Sequence, residues 1–252
     1  MTERITSRKN EKIVHIKRLG IDRDYRVRNR EFLCDGDKLL EEAILHGAKL
    51  ETVLTCREEL PCVPEGTEII LTPRDVLESV SPMRNPQDVL FTCRIPEESF
   101  SVYPGGSYVV LENVQDPGNV GTVIRSANAF GIDAVILMGA CADLYHPKTV
   151  RATMGAIFRQ RVLQLELEGL MQMKEDGIRL YGAALASDSR DIRQVELRGA
   201  AVAVGSEGQG LSEALLSLCD GKVIIPMNPE CESLNAGVAA SVLMWEIGRR
   251  IL

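Results

Sequence analysis

The stretch VLENVQDPGNVGTVIRSANAFGIDAVIL, residues 110–137, decides the fold. It opens on an apolar run, breaks at Asp116-Pro117-Gly118-Asn119, and resumes with Val120, Ile124, Ala127 and Gly131 at helical spacing. Asp, Pro, Gly and Asn together are turn formers, and the recurring stripe is the face of a helix that packs on a sheet. Asn119 stands where an N-cap belongs, and Gly131 stands at the stop. A second apolar run, Ala134–Met138, follows at once. Strand, turn, helix and strand in so short a span form a unit of parallel sheet. Open sheets of this kind bind ligands beyond the carboxyl ends of their strands, which is where the break and the nearby Arg125 fall.

Outward from this stretch the alternation continues. Strand candidates are Tyr108–Leu111, Ala134–Met138, Arg161–Leu165, Arg179–Ala184, Ala201–Val204 and Val223–Ile225, with helical segments between them. A nearly all-apolar helix from about Ser233 closes the pattern. Short runs that are apolar throughout mark strands covered on both faces. Upstream, RIPEESFSVYPGGS (94–107) is polar, with two prolines and a Gly-Gly pair, and reads as an interdomain linker. Residues 1–93 read as a small α/β unit. Its helices are predicted at Lys9–Leu19 and Asp37–His46, its strands at Glu51–Thr55, Glu68–Leu71 and Val89–Cys93.

Composition bounds the function. The 252 residues are 45% hydrophobic and 26% charged, values of a globular protein. No apolar run is long enough to span a bilayer. The start, MTERITSRKNEK, lacks an apolar signal core, so a cytoplasmic protein is the expectation. Seven scattered cysteines without a CxxC or a Cys/His cluster point to reduced, packed thiols rather than disulfides or a metal site. The net charge of −7 is unevenly spread: ten basic and four acidic residues give residues 1–30 a charge of +6, leaving −13 for the rest. A basic segment on an acidic body fits phosphate contact, and it fits a solvated amphipathic helix equally well.

Two further elements complete the candidate site. In AVAVGSEGQGLS (201–212), Gly205, Gly208 and Gly210 crowd a strand-to-helix turn around Glu207. The spacing matches neither GxGxxG nor a GxxxxGK[ST] loop; such glycines let the backbone approach a flat ligand. In VIIPMNPECESLNAGVAASVLMWEIG (223–248), a strand ends at Pro226-Met227, a polar loop follows, and Ser233 is the expected N-cap. Ala236, Gly237, Ala239 and Ala240 permit close packing of backbones.

Together, NVQDPGNVGTVIRSANAFG, PKTVRATMGAIF, VGSEGQGLS and IPMNPECESLNAGVAASVL resemble the SpoU (TrmH-type) family of RNA 2′-O-ribose methyltransferases, in the SPOUT class. The resemblance covers about 108–250. Residues 1–93 resemble the small ribosomal-protein-like substrate (RNA)-binding domain fused to such enzymes, through SRKN, FLCDGDKLLEEAI and NPQDVLF. The layout implied is therefore 1–93, a linker 94–107, and a methyltransferase domain 108–252 with a Rossmann-like parallel sheet and a trefoil knot. Such a knot is a rare exception to ordinary chain topology.

The resemblance implies transfer of the methyl group of S-adenosyl-L-methionine to a ribose 2′-hydroxyl of structured RNA, rRNA more than tRNA, by a homodimer without metal or membrane. A non-catalytic RNA-binding knot protein is the alternative from another class. By the family's motif, Gly205, Ile225, Met227 and Leu234 border the cofactor. Arg125 is the catalytic arginine, and Asn119, Glu207, Ser233 and Asn235 orient it, the ribose and the cofactor. Two roles stay open for Arg125. As a general base it must lose a proton it normally keeps, at a cost of about 7 kcal/mol for a five-unit shift. As a grip on phosphate and developing oxyanion it needs no such shift. Ala236-Gly237 replaces the Val-Ser of many relatives, and Thr153-Met154 replaces Ser-Ala, a change expected to reshape a pocket wall.

Overall fold

The computed structural model describes residues 2–97, 101–228 and 230–248. Its contacts divide the chain into two units, Met1–Glu97 with Asp143–Arg159, and Glu98–Ala142 with Gln160–Leu252.

In the first unit the chain runs β1 (Thr2–Arg4), α1 (Glu11–Ile21), α2 (Arg23–Asn29), β2 (Glu31–Asp35), α3 (Asp37–Leu45), β3 (Leu50–Thr55), β4 (Glu68–Leu71), α4 (Arg74–Val80) and β5 (Val89–Arg94). The sheet order is β1-β4-β3-β5-β2, with β5 antiparallel to both neighbours and the other pairs parallel. Helix α1 starts two residues later than its apolar spacing predicts, because the Asn10 side chain caps it by accepting from the Lys12 amide at 2.9 Å. Strand β2, read in the sequence only as part of a motif, is buried along its whole length.

In the second unit, β6 (Tyr108–Glu112) leads into α5 (Pro117–Ala129) and β7 (Ala134–Met138). The segment Asp143–Arg159, with α6 (Pro147–Ala152), belongs to the first unit, although the sequence places it inside the second domain. Phe158 and Tyr145 explain this: their rings stand 6.4 and 4.7 Å from Phe32 of β2. Arg26, 2% exposed, pairs with Asp143 and donates to the Leu19 carbonyl at 2.6 Å.

The second unit resumes with β8 (Val162–Gln164), α7 (Leu167–Glu175), β9 (Arg179–Ala183), β10 (Arg190–Asp191), β11 (Ala200–Val204), α8 (Glu213–Leu218), β12 (Gly221–Ile224) and α9 (Ala236–Gly248). All seven strands are parallel, in the order β10-β12-β9-β11-β6-β7-β8. The central strands β6, β7 and β11 are buried at every residue, which is why they read as unbroken apolar runs. Part of the expected linker is fastened to this unit: the Ser107 amide donates to Asp133 at 2.8 Å, and the Tyr103 hydroxyl to the same carboxylate.

Helices α5 and α9 pack against each other. A Cβ on Gly237 would lie 3.3 Å from Asn119 Oδ1, and one on Gly248 would lie 2.6 Å from the Phe130 carbonyl oxygen. The small residues of α9 thus set how closely the two helices approach.

Candidate active site

Strand order reverses at β6. From there β7 and β8 lie on one side, and β11, β9, β12 and β10 on the other. Loops from such a reversal leave the sheet at the same end and diverge, opening a crevice between them. Here the loops after β9, β11 and β12 line a cavity of about 520 Å³, within the range of small-molecule sites. Gly205, Glu207, Ile225, Met227, Ser233 and Leu234 line it, so six of the nine residues singled out from the sequence meet at one cavity. Ala183, Leu185 and Ala239 add apolar wall.

Two of the other three are tied to it. Glu207 Oε1 accepts hydrogen bonds from Asn119 Nδ2, from Asn235 Nδ2 at 3.3 Å and from the Ala236 amide at 3.1 Å. Asn235 Nδ2 also donates to Asn119 Oδ1 at 3.0 Å. One carboxylate oxygen therefore joins the start of α5, the loop after β11 and the start of α9, residues 88 and 28 positions apart in the chain. The loop after β11 is itself closed by the Gly210 amide, which donates to the Ser206 carbonyl at 2.9 Å. Gly205 is required there by space, since a Cβ would fall 2.0 Å from the Gly210 carbonyl oxygen.

Both expected caps are displaced. Asp116, not Asn119, caps α5: its Oδ1 accepts from the Asn119 amide at 2.8 Å, making Asn119 the third residue of the helix. Pro117 is the reason, because proline lacks an amide hydrogen and suits the first helical position, so the cap precedes it. Asn235, not Ser233, caps α9: its Oδ1 accepts from the Val238 amide at 3.2 Å, and the helix begins at Ala236. Both shifts leave the Asn119 and Asn235 amide groups turned to Glu207.

Arg125 stands apart from this cluster. It is exposed, does not line the cavity, and has no hydrogen bond or ion pair among the described residues. Six residues beyond Asn119, a helix carries it roughly 240° around the axis and about 9 Å along it. The expected neighbourhood of Arg125 and the pocket is therefore not a contact within this chain.

Glu112 escaped the sequence reading. It is 4% exposed at the end of β6 and accepts from the Ser212 amide at 2.7 Å and the Ser212 hydroxyl at 2.6 Å. Ser212 in turn caps α8. The signal was an acid ending a strand of otherwise apolar residues, because a buried carboxylate needs fixed donors. Thr153-Met154, expected at a pocket wall, lies in the first unit instead. Beside it, a Cβ on Gly155 would run into the Glu42 side chain, which is paired with Arg159.

Much of the basic segment is spent internally. Arg8 pairs with Asp75, Lys12 with Glu3 and Glu68, Arg18 with Asp22, and Arg26 with Asp143. Arg4, Lys9, Lys17 and Arg23 stay exposed. His146 caps α6, and His15 bridges the Tyr25 hydroxyl and Glu31. Among the described residues no cluster of His, Cys, Asp and Glu could hold a metal ion, and no helix is long and apolar enough to cross a membrane.

Residues 106–245 match the model of the SpoU rRNA Methylase family, and residues 10–90 match an MRM3-like substrate binding domain. The chain is 33% identical, over 97% of its length and 99% of the relative's, to the 23S rRNA guanosine 2′-O-methyltransferase RlmP of Bacillus subtilis. It is 30% identical to a 23S rRNA uridine 2′-O-methyltransferase of Streptomyces viridochromogenes, covering 98% of this chain and 92% of that one. The crystal structure of an RNA 2′-O ribose methyltransferase, 32% identical, superposes with a TM-score of 0.83, covering 99% of this chain and 100% of that one. The SpoU methyltransferase AviRb of Streptomyces viridochromogenes in complex with AdoMet, 28% identical, superposes with a TM-score of 0.87, covering 96% of this chain and 98% of that one.

Proposed function

Because the chain belongs to the SpoU rRNA methylase family, we propose that it is an S-adenosylmethionine-dependent RNA 2′-O-ribose methyltransferase acting on ribosomal RNA. The observation that carries the reading is the three-way tie at Glu207, which draws the starts of α5 and α9 to one cofactor-sized cavity.

The residues present fit the cofactor. Ala183, Leu185, Met227 and Leu234 offer apolar walls for an adenine ring. At Gly205 the loop backbone folds so tightly on itself that no side chain fits, leaving main-chain edges for hydrogen bonds. When bound, S-adenosylmethionine supplies a methyl group on a sulfonium, an electrophile that needs orientation and a proton acceptor on the ribose side.

The chain's own residues divide that work. Glu207 Oε1 already accepts three hydrogen bonds, so its part is to lock the loops. Asn119 and Asn235 hold Glu207 and each other. Arg125, exposed and unpaired among the described residues, is free to meet an RNA phosphate or a developing 2′-oxyanion with its fork of donors. A charge-assisted contact of that kind needs no deprotonation of a guanidinium.

The homodimer belongs to the same reading. Helix α9 is apolar around most of its circumference, yet Trp245 is 52% exposed and Val238 48%. Pairing through this face would cover both and bring a second copy's Arg125 helix near the first copy's cavity. The trefoil threading of α9 is likewise part of the proposal, supported by the close packing of α9 on α5. A cytoplasmic location is part of the same proposal, and ribosomal RNA as substrate is consistent with it.

The test is incubation of the purified chain with methyl-labelled S-adenosylmethionine and either unmodified rRNA or tRNA. Label entering rRNA is the expected result. Label confined to tRNA would move the substrate to the other class, and label in neither would leave the reading as an RNA-binding protein without catalysis.

A further inference from the structure

The first unit holds a second cavity, of about 580 Å³, and every residue lining it belongs to that unit. It opens where β2 and β3 begin and β5 ends. Its floor is aromatic. Phe32 is 2% exposed, with Tyr145 tilted against it at 4.7 Å and Phe158 stacked at 6.4 Å, both half-buried.

The rim is cationic. Arg30, Lys49 and Arg94 line it against one carboxylate among the described residues, Glu97. Arg94 is committed to Glu51 at 2.7 Å and to the Asn29 carbonyl at 2.9 Å. The other two have donors to spare. The Lys49 side chain is 74% exposed and comes no nearer than 3.8 Å to Glu51. Among the described residues the Arg30 guanidinium reaches the carbonyls of Ile95 and Pro96, at 3.5 and 3.3 Å.

Stackable rings below two available cations match the two halves of one nucleotide, a flat base and a phosphate. RNA recognition favours bases that are unpaired and splayed out, because their faces are then open to aromatic side chains. A cavity of this volume admits one nucleotide and no duplex. We infer that this cavity is a subsite for a single unpaired nucleotide of the RNA, its base over Tyr145 and Phe158 and its phosphate at Arg30 and Lys49. The inference rests on the RNA-substrate reading and adds a defined anchor point remote in sequence from the cofactor loops.

The probe is a single-stranded oligouridylate octamer with one central 4-thiouridine, bound to the full chain and irradiated. The adduct is expected on Tyr145 or Phe158. Tyr145→Ala should weaken binding by roughly fivefold to a hundredfold, the range for one stacked base, and Tyr145→Phe should restore it. Lys49→Glu, at a solvated side chain that approaches Glu51 at 3.8 Å, should weaken it by about threefold or more as one phosphate contact is reversed. S-adenosylmethionine affinity should stay as in the parent for all three.

Adducts elsewhere, together with parental affinity in Lys49→Glu and Tyr145→Ala, would overturn the subsite. So would equal displacement of the octamer by poly-glutamate, which would make the cavity a peptide site. These readouts need no turnover, so failure of methyl transfer would leave them standing. A chain that methylates rRNA while both variants bind the octamer normally would sink the subsite alone.

Discussion

Replacing Gly205 by alanine probes the loop that shapes the cavity proposed for the cofactor. An added Cβ would sit 2.0 Å from the Gly210 carbonyl oxygen, 2.1 Å from its carbon and 2.5 Å from the Leu211 nitrogen. All three are backbone atoms, so no rotamer change relieves the clash. Ordinary contact begins near 3.4 Å, which requires the loop to retreat by roughly 1.4 Å. That retreat pulls apart the Gly210–Ser206 bond that closes the loop. Overpacking of this kind costs about 1–3 kcal/mol, and the lost hydrogen bond adds about 1 kcal/mol. The total is divided between folding and binding. Each kcal/mol lowers Tm by about 2–4 °C in a chain of this size, and each 1.4 kcal/mol weakens binding about tenfold. The expected result in scanning and titration calorimetry is a lowered Tm with S-adenosylmethionine bound roughly tenfold more weakly. Gly208→Ala is the control, because a Cβ there meets nothing within 4 Å and Gly208 does not line the cavity. If Gly205→Ala matched the parent in both Tm and affinity, the reasoning about this loop would be refuted.

Other perturbations separate the remaining parts. Arg125→Ala should keep cofactor affinity and lose methyl transfer by about a hundredfold or more, the scale for one group that stabilises developing charge; unchanged turnover would remove Arg125 from the chemistry. Asp143→Ala leaves Arg26 a buried cation without its partner, so stability should fall by about 3 kcal/mol or more in denaturant titration; a loss under about 1 kcal/mol would contradict that pairing. Trp245→Glu should convert a dimer to monomer by sedimentation, and a dimer that persists would place the interface elsewhere. A pH effect should come from His146, whose Nδ1 accepts from the Lys148 amide at 3.2 Å and must be unprotonated to do so. Burial, with Arg26 nearby, holds its pKa below the usual 6.5. The unfolded chain then binds the proton more tightly, so this contribution is complete above pH 6.5 and is lost as pH falls through the window below it. Tm should fall over that window more steeply in the parent than in His146→Asn, and parallel curves would show that the cap contributes nothing.

The parallel sheet was legible because strands covered on both faces show nothing but apolar side chains. Ala134–Met138, buried at every residue, was read to the residue, as was Glu68–Leu71 in the mixed sheet of the first unit. The margin of the sheet was not: the edge strand β10 is two residues long, and its neighbour β12 begins at half-buried Gly221 and Lys222 rather than at Val223. Strand β2 was hidden by its own ends, since Glu31 and Asp35 are charged yet buried. Glu31 tolerates this because, against its burial, the hydrogen bond from His15 at 3.0 Å holds its carboxyl below the ordinary range.

At the site, the resemblance carried by the motifs singled out Gly205, Glu207, Ile225, Met227, Ser233 and Leu234, and these six line one cavity. Which residue caps which helix was not readable, because a proline one position away or a polar pair before the first turn shifts the start. The tie of Asn119 and Asn235 to Glu207 depends on residues far apart in the chain, and no local pattern encodes it. The placement of Asp143–Arg159 on the first unit is lost to sequence reading for the same reason. Its aromatic residues pack on a strand more than a hundred positions earlier.

The most direct measurement uses the chemistry of the 2′-hydroxyl itself. Alkali cleaves RNA through that hydroxyl, and a methyl on its oxygen blocks cleavage at that nucleotide. rRNA labelled by the chain from methyl-labelled S-adenosylmethionine should therefore yield its label in alkali-resistant dinucleotides. Label released in mononucleotides would mean that the methyl group goes to a base, and would contradict the account.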